Sequence, residues 1–258
     1  PSKPPPPQRL AAAPPSPLET AEAARRVGDY DRAVSVLRDL AKGQDKPTAD
    51  EALLQLAVVQ IEAGRYKDAA DSASELMGRQ QDASGRARAL FVLGRARRAG
   101  DDCLGAVAAF DEVVRTSDDF GPYADLEAAY CLAALNDRAG QNARGGKAAE
   151  LAEARMTRID ALEHQVAASL KLGDADGALK ASDGLLQNAG TRTYRAQTLT
   201  SLGTIARDAN QRDLAIKSWA TVVAELPETP SAIGALDGLR GINAVGAVAP
   251  DEAGATRS

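Results

Sequence analysis

A short break recurs along the chain between stretches of helical, apolar periodicity, and it restricts the fold more than any other feature. Each break is centred on a Gly, an Asn or an Asp, and the five are Gly28, Gly64, Asp101, Gly173 and Asn210. An alanine follows every break by five residues: Ala33, Ala69, Ala106, Ala178 and Ala215. The spacings from 28 to 64, 64 to 101 and 173 to 210 are 36, 37 and 37 residues. This period predicts stacked antiparallel helix hairpins.

The physical basis of the pattern is local. Glycine and asparagine adopt the left-handed backbone conformation that ends a helix, and the following Asp or Arg begins a second helix in the reverse direction. The alanine lets the two helices approach closely, and larger side chains four and seven residues beyond it fill the space beside the neighbouring hairpin. These larger side chains are Leu37, Leu40, Phe110, Val113, Trp219 and Val222. In the second and fifth units the middle position shrinks to Ala73 and Ser182, so we expect thinner layers there.

Composition favours an all-α chain. Ala and Leu dominate, β-branched runs are scarce and aromatic residues make up only 3%, which favours close helix packing over a β-sandwich. The formal charge of −5 comes from interleaved acids and bases, as on solvated helix faces, so nucleic acid is not an expected partner. No apolar run reaches the roughly 18 residues of a membrane span. No signal peptide pattern occurs, and because Pro1 is not a Met we expect that an upstream leader, anchor or tag has been removed.

The repeat and its flanks divide the chain into five segments. Residues 1–17, PSKPPPPQRLAAAPPSP, form a Pro-rich tether that we expect to be disordered or extended. We assign 18–137 to repeats one to three and the start of the fourth, 138–155 to an irregular connection and a short helix, 156–227 to repeats five and six, and 228–258 to a terminal helix and tail. Pro-rich tethers often join an anchor to an exported domain. This favours an exported or cell-envelope location over a cytoplasmic one and leaves the compartment unknown.

The fourth unit departs from the rhythm. Gly140 resembles its break, but Gly145 and Gly146 stand where the alanine should be, and Gly173 follows Gly140 after only 33 residues. We therefore expect a longer, flexible connection followed by a shortened helix near Gly146–Arg155. The array should bend or loosen at this point.

Several units carry the residues of a known repeat. In the sixth unit these are Leu202, Gly203, Ala215, Trp219 and Pro227, and in the third they are Leu93, Gly94, Ala106 and Phe110. Over Leu18–Pro227 the chain resembles the tetratricopeptide repeat (TPR) family. The resemblance implies an all-α, right-handed superhelix, or solenoid, of antiparallel helix hairpins, and a scaffold that mediates protein–protein interaction or assembly.

The C-terminal part shows a second resemblance. The junction before the predicted last helix, around Ser231–Ile242, carries Leu226, Pro227, Thr229, Pro230, Ala232, Ala235 and Leu236. It is similar to the superhelical region of soluble lytic transglycosylases, which supports a catalytic domain that cleaves peptidoglycan. The chain would then be the helical, non-catalytic arm of an exported enzyme, with peptidoglycan as a candidate ligand and its chemistry beyond Ser258. Since the last helix has no second partner, we expect it to expose an apolar face and the array to continue.

Residues typical of catalysis or cofactor binding form no recognisable motif in this sequence. His164 is the single histidine and has no nucleophile motif beside it, so a solvent-facing or core role is expected. Cys103 and Cys131 are interpreted as buried thiols or, alternatively, as a disulfide in an oxidising compartment. Paired carboxylates, Asp101-Asp102 and Asp118-Asp119, suit helix starts or loops. We assign no catalytic, cofactor or metal residue, expect no cofactor, and leave open whether the protein is an enzyme.

What remains is surface. In such arrays the first helix of each hairpin lines the concave side, which predicts eight partner-binding residues: Arg88, Phe91, Arg95, Arg98, Gln197, Thr200, Thr204 and Arg207. The arginines of the third unit could accept an acidic peptide, a C-terminal carboxylate or an anionic glycan strand. In the alternative interpretation they pair with Glu and Asp of adjacent units and keep the surface soluble. The expected partner is a protein or another domain of the same protein, and a subunit that holds an envelope assembly together is a third hypothesis.

Overall fold

The computed structural model describes residues 14–248. Within these residues the regular structure is helical throughout and contains no strand, which confirms the predicted all-α class. The thirteen α-helices of this range are α1 (Pro17–Arg26), α2 (Tyr30–Leu40), α3 (Lys46–Glu62), α4 (Tyr66–Arg79), α5 (Ala83–Ala99), α6 (Cys103–Thr116), α7 (Gly121–Ala134), α8 (Arg138–Leu151), α9 (Arg155–Leu172), α10 (Ala175–Asn188), α11 (Arg192–Asp208), α12 (Arg212–Glu225) and α13 (Ser231–Gly241). A short 3-10 helix follows at Val245–Val248.

Residues with positive φ mark the helix breaks. They are Gly28, Gly64, Asp101, Asn136, Gly173, Asn210 and Asn243. Successive members lie 36, 37, 35, 37, 37 and 33 residues apart. Five of them are the predicted breaks, and the alanine five residues beyond each of those five is fully buried. The expected break at Gly140 is wrong, because Asn136 adopts the left-handed conformation (φ 62°) and lies 35 residues after Asp101 and 37 before Gly173.

An aspartate after the break begins the second helix in four places. Its carboxylate accepts a hydrogen bond from the backbone N–H three residues on, at 2.9 Å for Asp102, Asp137 and Asp174 and 3.2 Å for Asp29. These bonds satisfy N–H groups that a helix start leaves without an internal acceptor. The expected role of Asp101-Asp102 at a helix start is therefore confirmed, with Asp101 at the break and Asp102 as the cap.

Helix α8 differs from the expectation of an irregular connection and a short helix over 138–155. It is a regular helix of 14 residues that contains Gly145 and Gly146. A Cβ atom on Gly145 would lie 3.1 Å from the carbonyl oxygen of Ala161 in α9, and one on Gly146 would lie 3.0 Å from Nε2 of Gln165. These glycines therefore let α8 lie close against α9 and do not interrupt it.

The alanine position of the fourth unit is occupied by Gln141, five residues after Asn136. Its side chain is buried, and Nε2 donates to the backbone oxygen of His164 in α9 at 3.2 Å. Arg138 donates to the other end of the same amide at 2.9 Å. The crossing of α8 and α9 thus combines a hydrogen-bonded amide with glycine contacts, where the other units use alanine.

The chain divides into two compact units, Pro1–Gly105 and Ala106–Ser258. In the first unit each helix from α1 to α5 packs against the next, and α3 also packs against α5. In the second unit the same order holds from α7 to α13, and α7 also contacts α9 as α11 contacts α13. Each unit is a stack of antiparallel helices, and the first helices α3 and α5, α7 and α9, and α11 and α13 lie beside each other.

The predicted filling side chains form the core. Leu37, Phe110, Val113, Trp219 and Val222 are all buried. Leu40 is only partly buried and packs against the core of the first unit. Five of the six expectations are therefore confirmed, and the sixth holds in part.

The two ends of the described range bear on two further expectations. Most of the tether, residues 1–13, lies outside the described residues, but its last residue, Pro17, begins α1. Ser16 accepts a hydrogen bond from the Glu19 N–H at 3.2 Å and donates its own N–H to Glu19 Oε2 at 2.7 Å, so helix structure starts earlier than predicted. At the other end, Ile233 of α13 is 72% exposed, in line with the expected apolar face.

Candidate interaction surfaces

Four of the eight predicted partner-binding residues share one side of α5, which we call the α5 face. Arg88, Phe91, Arg95 and Arg98 follow the three- and four-residue spacing of a single helix stripe. Arg88 and Arg95 are exposed, and Phe91 and Arg98 are partly buried. Nη2 of Arg88 lies 3.7 Å from Oε2 of Glu51 in α3. For Arg88 this contact supports the alternative interpretation, in which the arginine pairs with an acidic residue of the adjacent repeat.

The other four residues share one side of α11, which we call the α11 face. Gln197 is exposed, whereas Thr200 and Thr204 are partly buried. The Thr204 hydroxyl donates to the carbonyl oxygen of Thr200 at 3.1 Å, and the Thr200 hydroxyl donates to that of Ser231 at 3.5 Å. The threonine hydroxyls thus already donate hydrogen bonds within the protein, and Gln197 and Arg207 are the exposed side chains of the α11 face.

Arg207, at the end of the α11 face, is held by two contacts. It pairs with Asp208 at 2.8 Å, and its guanidinium carbon lies 5.9 Å from the ring centroid of Trp219. The α5 face belongs to the first compact unit and the α11 face to the second. The structure therefore brings the predicted residues together as two sets of four.

Tyrosines, which are not among the predicted partner-binding residues, occupy the corresponding side of α7. Tyr123 and Tyr130 lie seven residues apart on one side of this helix and are 40% and 38% exposed. They stand 35 residues beyond Arg88 and Arg95, which equals the spacing of the breaks at 101 and 136. The signal was present, but taking Gly140 as the break shifted the register of this unit.

His164 lies beside Tyr130. Their rings meet edge to face with centroids 4.0 Å apart, and Nε2 of Gln141 approaches Nδ1 of His164 at 3.3 Å. Burial lowers the pKa of His164, and the negative charges of Asp160 and Glu163 oppose this shift. The imidazole therefore occupies a partly buried packing position, one of the two roles expected for it.

Two carboxylates of α9, Asp160 and Glu163, lie near His164, and their negative charges act on its imidazole. The Tyr194 hydroxyl of α11 donates to Oε1 of Glu163 at 2.9 Å. Burial, followed by this bond and the nearby charges, raises the pKa of Tyr194 to about 12, so the phenol stays neutral. Among residues 14–248, no Lys or Arg forms an ion pair with Asp160 or Glu163. We call Tyr123, Tyr130, Asp160, Glu163 and Tyr194 the acidic tyrosine face.

The two cysteines of the described range are not bonded to each other. Cys103 and Cys131 are both free thiols, Cys131 fully buried and Cys103 partly so, which agrees with the first interpretation and not with a disulfide. Over residues 14–248, no group of three or more His, Cys, Asp or Glu side chains is arranged to hold a metal ion. In the same range, no helix has the length and apolar character needed to cross a membrane.

Known proteins are similar to this chain in structure only. No protein-family model matches the chain, and no curated protein matches it in sequence. The structure of PilW, a widely conserved type IV pilus biogenesis factor, is 17% identical, with a TM-score of 0.56 over 85% of this chain and 96% of PilW.

Two further solved structures are similar. A putative kinesin light chain of Podosopora anserina, with nearly identical TPR-like repeats, is 13% identical, with a TM-score of 0.55 over 78% of this chain and 98% of its own. A Rap protein complexed with Competence and Sporulation Factor is 12% identical, with a TM-score of 0.53 over 90% and 70%. Sequence identities this low show a similarity of fold alone. In its fold, the chain has the architecture of TPR-like helical repeats.

Proposed function

We propose that this chain is a non-catalytic scaffold of TPR-like repeats that binds a protein partner, or another domain of the same protein, along its first helices. The α5 face, the α11 face and the acidic tyrosine face would supply the contacts. The single observation that carries the proposal is that exposed large side chains recur on first helices of each unit, with Arg88 in the first and Tyr123, Tyr130 and Gln197 in the second. Large surface side chains at matched repeat positions suit recognition more than packing.

The mechanism is geometric. Helix stacking fixes the backbone of these faces before a partner arrives, so less conformational entropy is lost on binding than with a flexible binder. The similar Rap protein was solved as a complex with Competence and Sporulation Factor, which supports binding as a use of this fold. No catalytic step enters this proposal, since the histidine is packed and both thiols are partly or fully buried.

Site-specific photo-crosslinking in the native cell tests the proposal. A photoreactive amino acid replaces Arg88, Tyr123 or Gln197 on first helices, and matched variants carry it at the exposed second-helix positions Lys147 and Asp183. We expect one protein to be crosslinked from the first-helix positions and not from the second-helix ones. Calorimetry with that purified protein then checks direct binding. Equal crosslinking from both sets, or none from either, would contradict the proposal.

The alternative of a lytic transglycosylase arm gains no support from the structures compared above. Peptidoglycan as a ligand, a cell-envelope location and the role of an envelope assembly subunit stay predictions. The open reading frame that contains the chain tests the transglycosylase alternative, because a lysozyme-like domain encoded after Ser258 would support the arm.

A further inference from the structure

The side-chain links between neighbouring first helices differ from α1–α5 to α9–α11. In the first unit, Nε and Nη2 of Arg25 in α1 both donate to the carboxylate of Glu62 in α3 at 2.7 Å. Arg88 of α5 approaches Glu51 of α3 at 3.7 Å. Adjacent first helices of this unit are therefore joined by Arg–Glu pairs, and the negative charges there are matched internally.

In the second unit, the side chain that links first helices α9 and α11 to each other through a carboxylate is an uncharged donor. Glu163 of α9 is contacted by the Tyr194 hydroxyl of α11 at 2.9 Å, and a phenol brings no positive charge. Asp160 lies one turn earlier on α9, and its charge acts on both His164 and Tyr194. Within the part of the chain that the structure describes, these two negative charges have no Lys or Arg counterpart.

Exposed aromatic rings lie on α7, a first helix that packs against α9. Tyr130 is joined to α9 through its contact with His164, the residue next to Glu163. Tyr123 lies two turns earlier on the same side of α7, and both rings are more than one third exposed. Exposed tyrosine rings beside carboxylates attract cations, because the face of the ring is electron-rich. The tyrosine hydroxyl at the edge of the ring stays in contact with solvent.

We infer that the acidic tyrosine face binds a positively charged segment of the protein partner, with Arg or Lys side chains over the tyrosine rings and their charges at Asp160 and Glu163. This inference rests on the proposed function and adds the chemistry of the partner. An Arg suits the face best, because its guanidinium donates to a carboxylate through two N–H groups while its flat surface stacks on a ring. An acidic or phosphorylated segment would be repelled by the two carboxylates.

A fluorescent peptide of four Gly-Arg pairs, capped at both ends, is the probe, and the same peptide with Gln in place of Arg is its control. Both are titrated into the full chain and followed by fluorescence anisotropy. We expect the Arg peptide to bind and the Gln peptide not to bind. The double variant Asp160→Asn, Glu163→Gln should weaken binding about tenfold, because two partly exposed ion pairs with the peptide are lost.

A matched charge control separates the face from the net charge of the protein. The double variant Glu150→Gln, Asp183→Asn also removes two exposed carboxylates from the second unit, but on the second helices α8 and α10. It should leave the affinity for the Arg peptide within about twofold. Equal loss in both double variants would show only a general charge effect and would overturn the inference, as would failure of the Arg peptide to bind.

Two tyrosine variants test whether the aromatic rings contribute to binding of the Arg peptide. Tyr123→Ala should weaken binding of the Arg peptide, whereas Tyr66→Ala, which removes an exposed tyrosine of the first unit, should not. Circular dichroism of each variant confirms that the helices are retained.

If crosslinking identifies a partner at the first helices while Asp160→Asn, Glu163→Gln leaves its affinity unchanged, the inference fails and the proposed function stands. If the Arg peptide binds as expected but no partner is crosslinked, the proposed function fails.

Discussion

Trp219 lies in space that two glycines leave open. A Cβ atom on Gly203 of α11 would be 2.5 Å from Trp219 Nε1, and one on Gly238 of α13 would be 2.5 Å from Trp219 Cε2. The indole is 1% exposed, and its N–H donates to the carbonyl oxygen of Thr200 at 3.1 Å. The Leu-Gly pair of the repeat pattern therefore has a steric cause here, since a side chain on Gly203 would overlap the ring.

Two alanine substitutions on α13 separate helix propensity from packing. Gly238→Ala should lower the free energy of unfolding by about 1–3 kcal/mol, because the new methyl group overlaps a buried ring. Gly234→Ala should raise it by up to about 1 kcal/mol, because its nearest neighbour is at 3.7 Å and alanine favours the helix. Urea unfolding of both variants measures the difference. A Gly238→Ala protein as stable as the parent would contradict the packing argument.

His164 should make stability depend on pH. Its pKa is lowered in the folded protein, so the unfolded chain binds the proton more readily. The free energy of unfolding should therefore fall as the pH drops from above the ordinary histidine pKa of about 6.5 through the lower pKa of the folded state. His164→Gln should flatten this part of the profile. Unfolding curves of both proteins between neutral and mildly acidic pH check it, and parallel profiles would refute it.

At the scale of the helix, start signals differ between hairpins. Asp29, Asp102, Asp137 and Asp174 cap second helices with their carboxylates, whereas Arg65 and Gln211 make no such side-chain bond at the same position. The capped starts follow glycine, asparagine or aspartate at the break alike. The residue that caps the second helix therefore varies independently of the residue at the break.

Changing these caps should alter stability in opposite directions. Asp137→Ala should cost about 1 kcal/mol, since the Gly140 N–H loses its acceptor. Gln211→Ser should contribute a similar amount, since a serine hydroxyl can accept from the start of α12. Thermal unfolding followed by circular dichroism measures both. Opposite signs support the assignment, and two destabilised proteins would count against it.

The fold could be predicted from the sequence where the repeat signal is local. A break residue and an alanine five positions later specify a turn and a close crossing within one hairpin, so five of the breaks were correctly placed. Helix α8 was not predicted, because glycine inside a helix costs about 1 kcal/mol relative to alanine and is offset only by a neighbour that the sequence does not show. That neighbour is the backbone of α9 at Ala161.

The candidate surfaces were predictable in part for the same reason. Three- and four-residue spacing places Arg88 and Arg95 on one side of α5 without further information. The ion pair of Arg88 with Glu51 depends on how α3 and α5 pack. Tyr123 and Tyr130 could have been found from the period alone, once Asn136 was recognised as the fourth break.

At the scale of the whole molecule, most contacts join helices that are near neighbours in the chain. Stability in such arrays is approximately a sum of repeat and nearest-neighbour contributions, so a local defect should have a local effect. Gly238→Ala should therefore speed amide hydrogen exchange in α11–α13 and leave α1–α4 unchanged. Exchange followed by mass spectrometry resolves these segments. Faster exchange throughout would show instead that the chain opens as one cooperative body.

Trp219 is the single tryptophan of the chain, and it lies away from water in the last complete hairpin. Its intrinsic fluorescence is thus a built-in optical reporter of that end of the molecule. Emission should shift to longer wavelength when α11, α12 and α13 separate, whatever happens to the first hairpins. Comparing the emission curve with the ellipticity of all helices would reveal, without any label, whether this end melts first.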